Sequence, residues 1–237
     1  MMSGMKLKIR SAGRPVTAIV LAGGRGRRMN ADKARLPVPG GTLLERVLGQ
    51  LAPHFDEVLV SVSPGQKIGL GRMKKGRSWA SADKAAPGGS GHRRALEPDR
   101  PNLRIVEDER PDQGPMAGVL AGLKAAGNAV CAVVACDIPD VDMGLLRRLV
   151  GAAAHAEIAV PVTPEGDFEP LFAVYQKAVV PRIEKLLSCG ERSLIPLISQ
   201  CRTARVPLAD GRRLRNLNTR RDYEDYLKHL KGKRNRE

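Results

Sequence analysis

The chain has 237 residues, 42% hydrophobic and only 3% aromatic, with 40 Lys and Arg against 25 Asp and Glu for a formal net charge of +15. A chain of this length buries most of the surface its unfolded form exposes, so its core needs neither a disulfide framework nor a structural metal. The apolar run Val16 to Ala22, like the others in the chain, falls far short of the roughly 20 residues of a spanning helix, and no membrane span is expected.

Lys6, Lys8, Arg10 and Arg14 precede that run, but Arg25, Arg27 and Arg28 follow it without a small-residue cleavage site. The start therefore reads as a ragged terminus leading into a strand, not a secretory signal. Val16 to Leu21 is β-branched and bounded by Gly23 and Gly24, as in a strand buried on both faces. Leu43, Leu44, Val47, Leu48 and Leu51 recur at helical spacing and predict a helix over Thr42 to Ala52. Glu57 to Val62 and Leu103 to Val106 read as strands. Pro115 to Ala126 reads as a helix with Pro in its first turn, Gly127 past its end and Met116, Val119, Leu120 and Leu123 on one face. Val130 to Ala135 is a further buried strand, followed by a helix that Asp140 or Asp142 can cap. Strands over Ile158 to Val162 and Leu171 to Tyr175, and helices over Ala178 to Leu187 and Leu194 to Gln200, continue the alternation. Thr219 with Asp222 three residues on opens a last helix ending near Leu230. The pattern predicts an α/β fold, a Rossmann-like, doubly wound, mostly parallel sheet with helices on both faces. Ligands of such sheets sit at the carboxyl ends of the strands.

The charge is uneven. Residues 67–104 carry a net +7 and residues 212–237 a net +6, leaving the remainder close to neutral. The first stretch is rich in Gly, Pro and Ser without apolar periodicity, and residues 65–102 are expected to form a basic surface insertion in a single domain spanning 1–237, with a basic tail after residue 230. A polyanion- or partner-binding protein is the rival this charge raises. Nucleic acid is not favoured, because Trp79 is the insertion's sole aromatic and stacking platforms are missing. Cys131, Cys136, Cys189 and Cys201 form no C-x-x-C pair, and the histidines lack metal-ligand spacing. Buried thiols in a reducing cytoplasm are the expectation.

Leu21-Ala22-Gly23-Gly24-Arg25-Gly26-Arg27-Arg28-Met29 follows the first buried strand. Its glycines let backbone approach a phosphate, and its guanidiniums supply charge. It matches neither the G-x-G-x-x-G nor the P-loop pattern, and a plain tight turn accounts equally well for the glycines. Lys33 comes shortly after, placed to bring a point charge to the same anion. Asp137 ends a buried strand and should project into the same crevice. A carboxylate beside bound phosphate calls for a hard cation, and magnesium (Mg2+) is the natural one.

Together with Asp32-Lys33, Glu107-Asp108, Gly114-Pro115-Met116-Ala117-Gly118 and Cys136-Asp137-Ile138-Pro139, the glycine stretch resembles the pattern of the MobA-like nucleotidyltransferases, and within them the molybdenum-cofactor guanylyltransferases. Glu169 to Tyr175, Gly190 to Leu194 and Asn216-Leu217-Asn218-Thr219 extend the resemblance, which runs from about Thr17 to Leu227 apart from the insertion. It implies a nucleotide-diphospho-sugar transferase-like fold and transfer of GMP from GTP to molybdenum-bound molybdopterin, with release of pyrophosphate. By the same resemblance Leu21, Ala22, Gly23 and Gly24 hold the nucleotide, Arg25 and Lys33 neutralise its triphosphate, and Asp108 contacts its base or ribose side. Asp137 ligates magnesium, and Asn218 positions the metal or the second substrate. Arg25, Lys33 and Asp137 are the implied catalytic set. Ser61 stands where the guanylyltransferase pattern has an asparagine against the base, which keeps cytidylyl transfer, or transfer to another phosphorylated small molecule, as an alternative. Molybdoenzymes or cofactor chaperones are the implied protein partners.

Overall fold

A computed structural model of the protein describes residues 7–23, 32–68, 102–108, 113–208 and 214–234. In chain order its strands are β1 (Arg10–Ser11), β2 (Arg14–Leu21), β3 (Pro37–Val38), β4 (Gly41–Thr42), β5 (Glu57–Val62), β6 (Asn102–Glu107), β7 (Val130–Ala135), β8 (Ile158–Val162), β9 (Phe172–Gln176) and β10 (Thr203–Pro207). Its α-helices are α1 (Leu43–Leu51), α2 (Pro115–Ala125), α3 (Met143–Ala152), α4 (Val180–Ser188), α5 (Ile195–Gln200) and α6 (Arg220–Arg234).

The main sheet is ordered β10-β8-β9-β7-β2-β5-β6, with β1 antiparallel to β2 off this path and β3 and β4 paired separately. Strand β2 pairs in parallel with β5 on one side and β7 on the other. Along the path, β9 runs against both its neighbours. The chain moves outward from β2 to β5 and β6, then crosses back to β7. The carboxyl ends of β2 and β7 therefore flank a topological switch point, where sheets of this kind open a crevice.

Alternation along the central strands divides the core. Ala18, Val20, Val58 and Val60 pack with Leu44 and Leu48 of α1 and Leu145 and Leu149 of α3. Ile19, Leu21 and Leu59 pack on the other face with Met116 and Leu123 of α2, Ile183 of α4 and Leu197 of α5. Helices thus cover both faces of a mostly parallel sheet, as the sequence pattern requires. A third cluster joins α6 to α1 through Leu43, Leu217, Tyr226 and Leu230. Thr42 caps α1 in a reciprocal box with Glu45, and Asp142 caps α3 through the Leu145 N–H at 2.9 Å. No helix among the described residues is long and apolar enough to cross a membrane.

Several elements differ from expectation. The segment before β2 is tied down: Ile9 is buried and donates to the His54 carbonyl at 2.8 Å, and β1 closes a hairpin onto β2. The β3–β4 pair and a 3-10 turn over Lys33–Arg35 carry too few residues to show a period, and β10, half-exposed and ending in proline, has no apolar face to mark it. Helix α6 continues to Arg234. Asp140 does not cap α3; its Oδ1 instead accepts from Arg46 at 2.8 Å and Tyr226 at 2.9 Å. Cys131 and Cys136 are buried free thiols, but Cys189 is exposed and Cys201 half-buried. Residues 69–101, most of the basic insertion, lie outside the described residues.

At the amino end of the sheet, Glu57 accepts from Thr17 at 2.5 Å, Arg104 at 2.6 Å and the Gly127 N–H at 2.8 Å. Burial alone pushes this carboxyl up, but these three donors outweigh it and hold the pKa below its ordinary value. A depressed folded-state pKa gives stability that is present at neutral pH and lost as the pH falls below about 4.5 through the folded value. Glu57→Gln should lower the unfolding free energy by about 2 kcal/mol near neutrality, the scale of hydrogen bonds to a charged group. In urea unfolding the deficit should narrow as the pH falls from about 4.5 through the lowered folded-state value.

Candidate active site

A cavity of about 460 Å³ opens at the carboxyl ends of β2, β5 and β7. Leu21, Ala22, Gly23, Lys33, Ser61, Asp108, Asp137 and Asn218 all line it. The sequence separates these positions widely, and the switch-point topology brings them to one crevice. Gly24 and Arg25 lie outside the described residues.

Three of the side chains meet directly. Lys33 Nζ donates to Asp137 Oδ2 at 2.9 Å and to Asn218 Oδ1 at 3.1 Å. Lys33 and Asp137 are only 18% and 20% exposed, so water screens their attraction incompletely. Lys33 begins the 3-10 turn after Asp32, whose Oδ1 caps the turn through the Ala34 N–H at 3.0 Å. Asp137 is delivered by β7: the Cys136 N–H bonds the Leu21 carbonyl at 3.0 Å, and the Ile138 N–H closes a turn onto Ala135. Asn218 arrives from the far end of the chain. The Leu217 N–H donates to the Asp137 carbonyl at 2.9 Å, which fixes this segment against the β7 turn.

The start of α6 holds Asn218 from the other side. Asp222 Oδ2 accepts from the backbone N–H groups of Asn218 at 3.0 Å and Thr219 at 2.7 Å, while Thr219 Oγ1 accepts from the Asp222 N–H. This is the expected capping box, with Asp in the usual place of Glu. Its bonds from the Thr219 side chain and backbone hold the Asp222 carboxyl below the ordinary range.

The wall formed by Leu21–Gly23 is tightly bonded to its neighbours. The Ala22 and Gly23 N–H groups both donate to the Ser61 carbonyl, at 2.8 and 3.0 Å. The backbone donors of these two residues are therefore engaged across β2 and β5. A Cβ added to Gly23 would lie 3.0 Å from the Ser63 nitrogen and 3.2 Å from the Val62 carbonyl carbon, so only glycine passes this close to the end of β5. Ser61 is buried, and its hydroxyl donates to the Gly118 carbonyl of α2 at 3.0 Å. The Asp108 N–H continues the β6 ladder to the Val62 carbonyl at 2.9 Å. Gly114, also at the cavity, has φ +72° and enters α2 just before Pro115.

Other residues at the site carry no local sequence signal of their role. Gln66 bonds three separate segments around the mouth of the glycine stretch. Glu169 is half-buried and bonded to Asn216; burial, with the charges of Asp167 and Asp137, pushes its carboxyl up despite that bond. Arg46 and Tyr226 converge on Asp140, with the Arg46 guanidinium 5.7 Å from the Tyr226 ring centre. This contact braces α6 against the loop that carries Asp137. Only residue type and the motif stretch around Glu169 hinted at any of these in the sequence.

A doubly wound sheet with a lysine, a carboxylate and a carboxamide converging in the crevice at its switch point defines a nucleotide-handling α/β protein. Residues 18–206 match the MobA-like NTP transferase domain, and the chain belongs to that family. A Mycobacterium tuberculosis protein named "Probable molybdenum cofactor guanylyltransferase" is 32% identical over 213 residues, covering 86% of this chain and 90% of its own. A Methanosarcina mazei protein of the same name is 34% identical over 226 residues, 92% of each chain. The crystal structure of molybdopterin-guanine dinucleotide biosynthesis protein A from Archaeoglobus fulgidus superposes with a TM-score of 0.65 at 20% identity, covering 92% of this chain and all of that one.

Because two of the three nearest neighbours of Gly23 are backbone atoms that cannot swing aside, Gly23→Ala should destabilise the fold by about 1–3 kcal/mol through overpacking. The Ser61 and Gln66 contacts at the crevice should loosen with it. Thermal unfolding measures the first effect, and faster amide exchange at Ala22 the second.

Proposed function

We propose that this protein transfers GMP from GTP to molybdenum-bound molybdopterin, releasing pyrophosphate and forming the guanine dinucleotide cofactor. The observation that carries the proposal is the Lys33 ammonium held between Asp137 and Asn218 at the switch-point crevice. The relatives' names supply the substrates, and the geometry fits the chemistry those names describe. A phosphate oxygen of the acceptor forms a bond to the α-phosphorus of the nucleotide as the bond to pyrophosphate breaks. No covalent enzyme intermediate is needed, and positioning and charge neutralisation carry the catalysis.

Lys33, with Arg25, sets positive charge against the triphosphate. Leu21–Gly23, Ser61 and Asp108 shape the wall on the nucleoside side, and Gly24 is proposed to help hold the nucleotide. The donor set suits magnesium: Asp137 and Asn218 each place an oxygen within 3.1 Å of a single point, the Lys33 nitrogen, and hard oxygen donors of this kind hold that ion. With only two protein oxygens, such a magnesium site would be completed by phosphate oxygens and water. When bound there, magnesium neutralises charge on the phosphates. Asp137 and Asn218 would hold and orient it, and in the free protein the Lys33 ammonium bonds to both. Molybdoenzymes or their chaperones are the proposed recipients of the product, in the cytoplasm.

Pyrophosphate release by the purified protein, measured with each of the four nucleoside triphosphates, with and without molybdenum-bound molybdopterin and with magnesium or a chelator, tests the proposal. Release should require GTP, acceptor and magnesium together; equal release with CTP would overturn the guanylyl assignment. Lys33→Ala and Asp137→Ala should each lower turnover by about two orders of magnitude or more, the scale for losing a preorganised charged contact. Circular dichroism should remain that of the folded protein. Near-normal magnesium-dependent turnover in Asp137→Ala would refute its role as metal ligand.

A further inference from the structure

We infer that Gln66 is a positioning residue for the nucleotide, a clamp that fixes the two ends of the glycine stretch relative to each other and thereby sets where Lys33 stands. The inference rests on the proposed nucleotidyl transfer and goes beyond it, since Gln66 is absent from the cavity lining and touches none of Lys33, Asp137 and Asn218.

The carboxamide of Gln66 makes three bonds to three segments. Its Oε1 accepts from the Ser63 N–H at 3.0 Å, at the end of β5. Its Nε2 donates to the Ala22 carbonyl at 3.1 Å, at the end of β2, and to Asp32 Oδ2 at 3.0 Å, just before Lys33. The orientation of the amide is unambiguous, because the Ser63 N–H can only donate and the Ala22 carbonyl can only accept. Both Nε2 hydrogens are therefore committed, one to each side of residues 24–31. The other oxygen of Asp32 caps the turn that begins with Lys33. Gln66 thus acts on Lys33 through Asp32, and on the cavity wall through Ala22. Ala22 is also bonded to β5 through its own N–H, so the clamp ties the turn of Lys33 to the rigid centre of the sheet.

The geometry yields a reciprocal test. Gln66→Glu replaces Nε2 with an oxygen that faces the Ala22 carbonyl and the Asp32 carboxylate, so two attractive contacts become repulsive. Asp32→Asn turns an amide nitrogen either toward Nε2 of Gln66 or toward the Ala34 N–H, and loses one bond in each case. Gln66→Glu combined with Asp32→Asn restores the bond with its direction reversed. The Asn nitrogen then donates to the Glu carboxylate, and the Asn oxygen still caps the turn. Asparagine is as good an N-cap as aspartate.

With GTP, magnesium and molybdenum-bound molybdopterin, Gln66→Glu should raise KM for GTP about tenfold and lower kcat with it, because Lys33 is displaced, while KM for the pterin stays unchanged. The double variant should recover to within about threefold of the native GTP KM, a coupling on the scale of directly bonded pairs. Global destabilisation would instead lower kcat with both KM values intact. In the free protein, amide exchange at Ala34 should quicken about tenfold in Gln66→Glu and slow again in the double variant. That second reading needs no turnover, so it decides the clamp even if the native protein transfers no nucleotide, an outcome that would refute the proposed function alone. Native GTP KM and native Ala34 exchange in Gln66→Glu would overturn the clamp, as would a double variant no better than Gln66→Glu in both measurements.

Discussion

The contact on which the crevice depends is the bond of one ammonium group to two oxygens, Lys33 to Asp137 and Asn218. Each partner arrives by a different structural route. Lys33 comes from a capped turn after the central strand, Asp137 from the end of a neighbouring parallel strand, and Asn218 from the segment leading into α6. A carboxylate this enclosed carries a desolvation cost that a single carboxamide does not offset, whereas a fixed ammonium does. In the proposed reaction the same charge pair would meet a polyanion together with its cation.

The Glu57 network and the crevice occupy opposite ends of the sheet. Glu57, at the first residue of β5, gathers three donors around its buried carboxylate, while Ser61, about 13 Å further along the strand at the usual rise, contributes to the crevice. The two ends of the strand are thus built on different principles. At one, every charge is satisfied by the protein itself. At the other, the lysine is enclosed but remains at the cavity surface, and the backbone donors of Ala22 and Gly23 are turned away from the cavity into β5. What Leu21–Gly23 offer the crevice is a rigid wall. Gln66 and the Asp32 cap extend that rigidity to the turn carrying Lys33.

Regular elements were legible because they repeat. The alternation of Val16 to Leu21, the helical spacing from Leu43 to Leu51 and the Asp142 cap each carry a local signature that tertiary structure did not override. Strand β10 was illegible because Thr203–Pro207 is half-exposed and ends in proline, with no apolar face to mark it. Asp140 looked like a cap by residue type and position, but Arg46 and Tyr226, far apart in the chain, claim its carboxylate. Gln66 was illegible for the same reason: its three partners lie on three segments, and nothing in Ser63 to Lys67 distinguishes it from a solvated turn residue. The MobA-like resemblance pointed to the crevice residues one by one. The bond of Lys33 to both Asp137 and Asn218 became visible only in three dimensions.

The placement of Asn218 has a consequence for biosynthesis. Its carboxamide bonds a lysine 185 residues earlier in the chain, and its neighbour Leu217 is tied to the backbone of Asp137. During translation, strands β2, β5 and β7 can pair while the ribosome still holds the carboxyl-terminal part. In that nascent state Lys33 and Asp137 face each other without their third partner, so the crevice stays incomplete until residues 214–230 emerge and α6 docks on α1. Contacts of such long sequence separation form late in folding, and the newborn sheet therefore matures structurally before its crevice does.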